Sequence, residues 1–475
     1  MCSFLGIISE SFIDINRLQK SNNSIKSRGP NSTNMQIWEE EGVNFATIHN
    51  LLDISGSSIT QPLNRDRNKF LLFNGEIYKP SDGIKPDTIN LFDNYLEDNI
   101  KSFLSNSSSE FVIVTIDIIS KELNIYRDPI GTKPIFFSIE NNSIGFASYK
   151  SALADYGFTK IIEAQPNKIT SIKFTDIKKP TINIRTFYDF DLNQNQNSLV
   201  NWKNLFLQSI KNRVRHFESK VFVPLSAGYD SGAICCALNK LNIEYVTVTL
   251  GDHENTNILK KRIKINKKFS CIKHYQLKPV SNEVFNITSN NIREKLGEIH
   301  YEHIDGDRES PISLHEDGGA IGLYKICEYM SKLGFNTLIS GSGADEIYSD
   351  YGFNGKKFFT HSEFGGLFPE NLSEIFPWKK FYGDTQRSYL KKDEMISGLF
   401  GIEGRYPYLD KDLIQAFISL KTTIKNQRYK NCLASFLVEN NYPFEEEVKD
   451  GFYPKKSKYT IYERIYNKFK NIFIN

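Results

Sequence analysis

The hydrophobic pattern changes character once along the chain. Up to about residue 171, apolar residues come in short blocks closed off by turn formers. Phe70-Leu71-Leu72-Phe73, Phe111-Val112-Ile113-Val114-Thr115-Ile116 and Pro134-Ile135-Phe136-Phe137 are examples. Such short apolar runs, bounded by Gly, Asn, Asp and Pro, predict buried strands. Helical spacing is scarce here and clearest over residues 88–104. Residues 189–198, Asp-Phe-Asp-Leu-Asn-Gln-Asn-Gln-Asn-Ser, are polar and aperiodic and are read as a linker. Beyond them, strand and helix patterns alternate: over 221–238, over 245–250 with a helix behind it, and over 321–339. That alternation predicts a parallel sheet flanked by helices, whose ligands gather at the carboxyl ends of its strands. No long repeat is visible.

Two segments at predicted strand ends carry candidate chemistry. Ser226-Ala227-Gly228-Tyr229-Asp230-Ser231 follows the apolar run 221–225 and precedes the apolar helix pattern 233–238. A small-residue loop that opens a helix offers free backbone amides and the positive end of the helix dipole to a phosphate. Ser226 and Ser231 would close on a pyrophosphate, and Asp230 would hold a magnesium ion. No Gly-Lys-Ser/Thr ends the loop, so it is not a Walker loop. The second segment is Ser340-Gly341-Ser342-Gly343-Ala344-Asp345-Glu346, fed by the apolar run 335–339. Either segment alone is also what an ordinary strand-to-helix turn looks like.

Together they are more specific. The first resembles the Ser-Gly-Gly-x-Asp-Ser loop of enzymes that split ATP into AMP and pyrophosphate. The second resembles the Ser-Gly-Glu-Gly-x-Asp-Glu signature of asparagine synthetases. Met1-Cys2-Ser3-Phe4-Leu5-Gly6-Ile7 resembles the start of an N-terminal-nucleophile glutaminase. Arg28-Gly29-Pro30, Phe73-Asn74-Gly75-Glu76-Ile77-Tyr78, Arg127-Asp128-Pro129-Ile130-Gly131-Thr132-Lys133-Pro134 and Phe146-Ala147-Ser148 are similar, in order and interval, to the glutaminase domain of class B asparagine synthetases. The resemblance covers nearly the whole chain.

It implies an α+β N-terminal-nucleophile sandwich, two sheets between helices, over residues 1–188. An α/β parallel-sheet ATP-pyrophosphatase domain would follow over 199–475. Cys2, exposed by removal of Met1, would attack the side-chain amide of glutamine, with its own α-amine as base. Asn74 and the Gly75 amide would form the oxyanion hole, and Glu76 and Asp87 would hold the amino-acid end of glutamine. In the second domain Val223 and Leu225 would contact adenine. Ser226, Gly228, Asp230, Ser231, Ser340 and Gly341 would bind the ATP phosphates, and Asp230 and Asp345 the Mg2+. Lys430, in Tyr429-Lys430-Asn431, would offset charge on the phosphates, where the bland alternative is a solvated helix lysine. Phe400-Gly401-Ile402-Glu403-Gly404-Arg405-Tyr406-Pro407-Tyr408-Leu409-Asp410 would brace the site, and Lys449-Asp450-Gly451-Phe452 matches a further family segment. ATP and Mg2+ are the implied cofactors, and glutamine and a carboxylate acceptor, aspartate by resemblance, the implied ligands.

The chain departs from this pattern in places. Asn50 stands where the family has an Arg on the glutamine carboxylate, leaving Arg65, Arg67 or free ammonia as substitutes. Ser342 stands where the family has Glu, and Ala227 and Gly232 replace a Gly and a Ser. Residues 298–309 fall where the family builds its acceptor pocket, without a familiar aspartate pattern. His300 and His303, with neighbouring carboxylates, would suit a metal site, substrate contacts or a plain polar loop. Another carboxylate, such as a sugar acid or a peptide side chain, is therefore an alternative acceptor. A nucleotide-binding protein without turnover is the alternative outside enzymes.

Composition narrows the partners. A chain of 475 residues with 40% hydrophobic and 13% aromatic residues suits two folded domains. A net charge of +3 gives no reason to expect a nucleic acid. The six cysteines show no Cys-x-x-Cys spacing, and Cys235, Cys236 and Cys327 read as buried small hydrophobes, in keeping with a cytoplasmic protein. No apolar run is long enough for a membrane span, and no signal-peptide pattern is present. The oligomeric state is open, a homodimer included. Near the C-terminus, Lys455, Lys456 and Lys458 precede Tyr459, Tyr462, Tyr466, Phe469 and Phe473, an aromatic face on a basic helix that would dock on the second domain or lie on a membrane surface.

Overall fold

The computed structural model describes residues 2–54, 58–78, 86–214, 220–251, 255–304 and 309–446. The expectations for residues 449–452 and for the basic aromatic C-terminal segment fall outside the described residues.

The strands of the first part are, in chain order, β1 (Ser3–Ser9), β2 (Ser32–Glu40), β3 (Val43–Leu51), β4 (Leu63–Arg65), β5 (Lys69–Ile77), β6 (Ser109–Asp117), β7 (Glu122–Arg127), β8 (Phe136–Glu140), β9 (Ser143–Ala147), β10 (Ile162–Glu163), β11 (Lys168–Lys173) and β12 (Thr181–Thr186). They form two six-stranded antiparallel sheets, ordered β10-β8-β9-β1-β3-β2 and β12-β11-β7-β6-β5-β4. Alternate side chains point to opposite faces of a strand. Phe4, Ile8, Phe45, Phe70, Leu72, Val114 and Phe146 accordingly meet between the sheets. Leu5, Ile7 and Ile48 face outward onto Leu18 and Leu153 of helices Ile15–Asn22 and Lys150–Tyr156. On the other side, Leu71, Phe73 and Phe111 meet Leu91 and Leu104 of helices Asp87–Leu96 and Ile100–Ser105. Both faces of the central strands are buried, which is why those strands read as apolar blocks rather than as alternation. The result is the expected sandwich of two sheets between helices.

Local details differ from the sequence expectation. The helix over 88–104 is two helices, broken where Asp98 takes a positive φ of 53°. The apolar block at 134–137 pairs only from Phe136 onward, because Pro134 has no amide hydrogen to give a ladder. The strand region runs past 171 to β12, whose Ile182 and Ile184 are about half exposed on the edge of its sheet. The linker has no strand or helix of its own yet is tied down. Asp191 N–H donates to Gln415 Oε1 (2.9 Å), and Gln196 exchanges backbone hydrogen bonds with Ser419 and Lys421 (2.8 Å each).

The second part holds β13 (Val221–Pro224), β14 (Tyr245–Leu250), β15 (Cys271–Leu277), β16 (Thr337–Ile339), the small hairpin β17 (Gly352–Phe353) and β18 (Lys356–Lys357), and β19 (Glu403–Arg405). A parallel sheet runs β15-β14-β13-β16-β19. One face packs Val221 and Val223 on Ala233, Cys235 and Leu238 of helix Tyr229–Lys240. The other packs Phe222, Val246 and Leu338 on Ile321, Ile326 and Cys327 of helix Gly318–Lys332. That second apolar cluster is continuous with the outer face of the first part, through Leu5, Ile7 and Ile48. The two parts therefore share core rather than merely touch.

Candidate active sites

Cys2 immediately precedes β1, partly accessible. Its backbone N–H donates to Asn74 Oδ1 at 3.0 Å. That bond orients the Asn74 amide and leaves its Nδ2, buried, without an acceptor among the described residues. A buried amide donor with no partner costs free energy unless a ligand oxygen supplies one. Next to it, Gly75 has φ of 145°, and a Cβ there would lie 2.0 Å from Glu110 O of β6. Only glycine allows the two strands this approach. Burial pushes the Cys2 thiol above its ordinary value.

Acidic groups crowd the same end. Asp87 Oδ1 accepts from Thr88 N–H (2.7 Å) and Oδ2 from Ile77 N–H (3.3 Å). Burial raises its carboxyl. Burial and the charge of Glu403 push Glu76 up to about 8. Glu403 itself is held down to about 2: burial would raise it, but the amino-terminal charge, Arg405 and Lys133 outweigh that. Arg405 lies 3.2 Å from Glu76 and 2.6 Å from Glu403. Glu403 and Arg405 come from β19 of the second part, so the Cys2 site is completed across the seam. Sequence spacing could not have revealed this, because more than 300 positions separate the partners.

The substitutes suggested for the missing Arg do not reach the site. Asn50, opposite Ser3 in the β1–β3 register, gives Nδ2 to Ser3 Oγ (3.0 Å) and Asn22 Oδ1 (2.7 Å) and accepts from Thr33 Oγ1 (2.9 Å). It is absorbed in an internal polar network. Arg65 pairs with Lys69 at the far end of β5, five residues before Asn74 and so about 17 Å away at ~3.3 Å per residue. Arg67 follows in the same turn. Arg28 turns instead to the second part: Nη2 binds Glu394 Oε2 (2.8 Å) and Nη1 binds Glu394 O (2.7 Å) and Tyr149 Oη (2.9 Å).

The 127–134 motif has a similar use. Asp128 knits its own loop, accepting from the amides of Phe111, Ile130, Gly131 and Thr132. Lys133 Nζ crosses to Glu394 Oε1 (3.0 Å) and Gly404 O (2.7 Å). Arg213 binds Glu110 (2.6 Å) and Asp410 (3.1 Å), each fully or almost fully buried. These charges have partners, which is what makes their burial tolerable.

The second site forms where β13 and β16, parallel neighbours, end side by side. The β13 loop folds on itself: Ser226 N–H donates to Ser231 Oγ (3.0 Å), the two hydroxyls are 2.8 Å apart, and Gly228 N–H donates to Ser226 Oγ (3.1 Å). Arg262 Nη1 holds the loop from behind, donating to Ser226 O and Gly228 O at 2.7 Å each. A Cβ on Gly232 would lie 2.5 Å from that guanidinium, so the glycine is tied to Arg262. From the β16 loop, Gly341 passes so close to Asp230 that a Cβ would be 3.0 Å from Asp230 Cβ. Lys430, at a positive φ just before helix Asn431–Glu439, reaches Asp230 Oδ1 (2.5 Å) and Asp345 Oδ1 (2.8 Å). Tyr429 Oη donates to the same Asp345 oxygen (2.8 Å). Burial would depress the Lys430 ammonium, but the two aspartates raise it. Lys430 is therefore a buried cation and not the solvated helix lysine. Asp230 and Asp345, two carboxylates converging on one cationic centre, are a donor set suited to Mg2+.

Some expected residues sit deeper. Val223 and Leu225 are 0% and 2% exposed, in the core, and Leu225 N–H and O are taken by Val248 and Thr249. Ser340 and Ser342 turn their hydroxyls to Asp393 Oδ2, at 2.6 and 2.7 Å. His303 packs among Tyr301, Tyr389 and His361 with Nδ1 3.0 Å from Ser388 Oγ. His300 Nδ1 lies 3.0 Å from Ser313 Oγ. Among the described residues no His, Cys, Asp and Glu group could hold a metal through three or more ligands. Cys235, Cys236 and Cys327 are buried as expected. No helix among the described residues is long and apolar enough to cross a membrane.

A thiol beside an oriented Asn-Gly pair opens the double-sheet sandwich, the placement expected of an N-terminal nucleophile. Residues 1–188 match the family model described as a glutamine amidotransferase domain. The chain is 24% identical over 421 residues to a putative asparagine synthetase [glutamine-hydrolyzing] 1 of Methanocaldococcus jannaschii, covering 83% of this chain and 72% of that protein. It is 22% identical over 446 residues to a probable asparagine synthetase [glutamine-hydrolyzing] of Acanthamoeba polyphaga mimivirus, covering 86% and 74%. It is 23% identical over 443 residues to an asparagine synthetase [glutamine-hydrolyzing] of Zea mays, covering 88% and 70%. Among solved structures, glutamine phosphoribosylpyrophosphate amidotransferase from B. subtilis aligns at 13% identity with a TM-score of 0.33, over 62% of this chain and 89% of that one. The chain is thus similar to glutamine-hydrolysing asparagine synthetases along most of its length, and its first 188 residues match a glutamine amidotransferase domain.

Proposed function

We propose that this protein is a glutamine-dependent carbon–nitrogen ligase with a glutaminase domain over 1–188 and a synthetase domain over 199–475. It would adenylate a carboxylate with ATP and convert it to the amide, with aspartate to asparagine as the leading reaction. The observation that carries this reading is β19. Its Glu403 and Arg405 side chains stand at the Cys2 site. The Arg405 carbonyl accepts Ser340 N–H of the second site at 2.9 Å. One short strand thus links a nucleophile that releases ammonia to loops suited to splitting ATP.

In the first step the Cys2 thiolate attacks the glutamine side-chain amide. Asn74 Nδ2 and the Gly75 amide stabilise the oxyanion, a contribution of ~3–4 kcal/mol per well-placed donor. Glu76 and Asp87 receive the glutamine ammonium. In the second, the acceptor carboxylate attacks the α-phosphate of ATP, giving an acyl adenylate and pyrophosphate. Ser226, Gly228, Ser231, Ser340 and Gly341 cradle the phosphates, and Lys430 exchanges an aspartate for phosphate oxygen as charge builds there. Asp230 and Asp345 would hold Mg2+, which supplies Lewis-acid charge neutralisation. Ammonia then displaces AMP. The apolar and ion-paired seam excludes water that would otherwise hydrolyse the adenylate. A cytoplasmic setting accords with six unpaired cysteines.

Ser342 favours one second reading, that the acceptor is a different carboxylate. Pyrophosphate release from ATP and Mg2+ with ammonium chloride, with and without aspartate, decides between them. Aspartate-dependent pyrophosphate, AMP and asparagine are expected. Cys2→Ala should abolish asparagine formation from glutamine and keep it from ammonia. No response to aspartate would reject asparagine as the product. Ammonia-dependent synthesis lost in Cys2→Ala would break the two-step scheme.

A further inference from the structure

The Ser342–Asp393 contact stands out because a hydroxyl occupies the loop position where the resemblance predicts a carboxylate, while a carboxylate reaches the same place from another element. Asp393 lies on helix Asp384–Gly398 and is 4% exposed. Its Oδ2 receives Ser342 Oγ at 2.7 Å and lies 2.6 Å from Ser340 Oγ. It forms no ion pair among the described residues. Lys392, its neighbour, sets its ammonium 4.4 Å from the centre of the Tyr389 ring, and Glu394 is taken by Arg28 and Lys133. The other groups facing Asp393 are neutral: Tyr301, Cys327 of helix Gly318–Lys332, and Tyr406 after β19. Burial raises the Asp393 carboxyl. The Lys392 charge and the two serine hydroxyls oppose that rise without reversing it, and a buried carboxylate with no ion-pair contact accepts a proton more readily than an ion-paired one.

Ser342 is partly exposed and follows Gly341, the residue packed on Asp230. It therefore stands between the nucleotide loops and the buried acid. We propose that Ser342 and Asp393 form a two-residue proton relay at the acceptor end of the second site. This rests on the ligase reading above and deepens it. When ammonia attacks the acyl adenylate, the nitrogen–carbon bond forms and the carbon–oxygen bond to AMP breaks. The proton that nitrogen must lose passes to Ser342 Oγ as the Ser342 proton passes to Asp393 Oδ2. AMP leaves with the bonding electrons, and Asp393 returns its proton to water as the site opens. Ser342 is the group that touches the reacting nitrogen, and Asp393 is a positioning residue that acts through it.

The test uses the full chain with ATP, Mg2+, aspartate and ammonium chloride, and two readouts. Aspartate-dependent exchange of labelled pyrophosphate into ATP reports adenylation, and asparagine formation reports the amide step. Asp393→Asn and Ser342→Ala should each lower amide formation by about 10²-fold, the usual scale of acid–base assistance, and leave exchange within about twofold. Ser342→Glu combined with Asp393→Asn should recover most of the lost amide formation, because the carboxylate is then on the loop itself. A role confined to bracing the loop predicts instead that Asp393→Asn lowers exchange and amide formation together and that Ser342→Glu restores neither. Either that pattern or a fully active Ser342→Ala overturns the relay. If Asp393→Asn does not fold, Ser342→Ala decides alone. Wild-type protein with no aspartate-dependent exchange overturns the aspartate reading beneath it, and with it the relay as stated for this acceptor.

Discussion

At Cys2 a buried amide nitrogen, Asn74 Nδ2, has no acceptor among the described residues. At Asp230 the buried ammonium of Lys430 is shared between two carboxylates. The first site is open and preset, with a donor in place before any ligand arrives, and on the proposed reading it would need no reorganisation as oxyanion charge develops. The second is closed on itself. On the proposed reading its ligands would replace partners that are already present, phosphate for carboxylate on Lys430 and metal for ammonium on the aspartates. The difference follows from charge. A neutral amide can be buried unpaired at a cost of ~1–3 kcal/mol, whereas an unpaired ammonium at that depth cannot be sustained.

The strongest way to break this comparison is to remove the cation. Lys430→Met should leave Asp230 and Asp345 facing each other without the ammonium between them, costing ~3–5 kcal/mol of stability and abolishing pyrophosphate exchange. Denaturant titration and the exchange assay would read both. A stable Lys430→Met variant would show that the site is not held by its ion pairs. Saturating Mg2+ should recover part of the stability, since the metal takes the place of the ammonium between the carboxylates.

The open site should behave differently. Asn74→Ala is expected to lower kcat for glutamine hydrolysis by ~10²–10³-fold while stability changes by only about 1 kcal/mol, the Cys2 N–H bond being the interaction lost. Steady-state glutaminase kinetics with thermal unfolding of the same sample would check the split. A loss confined to KM would mean that Asn74 binds glutamine without stabilising the oxyanion.

The smallest effect concerns pH. Glu76 is raised from 4.5 to about 8 by burial and by Glu403. A carboxyl raised in the folded state contributes stability that is fully present below its unfolded value near 4.5 and is lost as pH rises through about 8. Glu76→Gln removes that titration. The stability of the variant relative to wild type should therefore rise between these values and level off above them, as Tm measured against pH would report. A parallel pair of curves would mean that Arg405 keeps Glu76 ionised throughout.

Much of the fold was legible. The strand blocks and the alternation after the linker predicted strands and then a parallel sheet, because local hydrophobic period decides element type, while the sandwich of two sheets came from the family resemblance. The helix break at Asp98 and the shifted start of β8 were missed, since a positive φ and a lost proline donor act at single residues. Within the sites, Cys2, Asn74, Gly75, Asp230, Asp345 and Lys430 could be named because family motifs mark them, and the structure brings each group together. Arg28 and Lys133 were named within their motifs, but not their shared partner Glu394.

The sequence by itself determined the two halves, the order of their motifs and the chemical types at each loop, because these depend on neighbours along the chain. Tertiary structure decided the rest. It carried Glu403 and Arg405 of β19 to Cys2, closed Lys430 on two aspartates, withdrew Asn50 into an internal network and placed Asp393 behind Ser342. Each joins residues far apart in sequence, and whether a charge is paired, buried or open to a ligand is set by what the fold puts beside it.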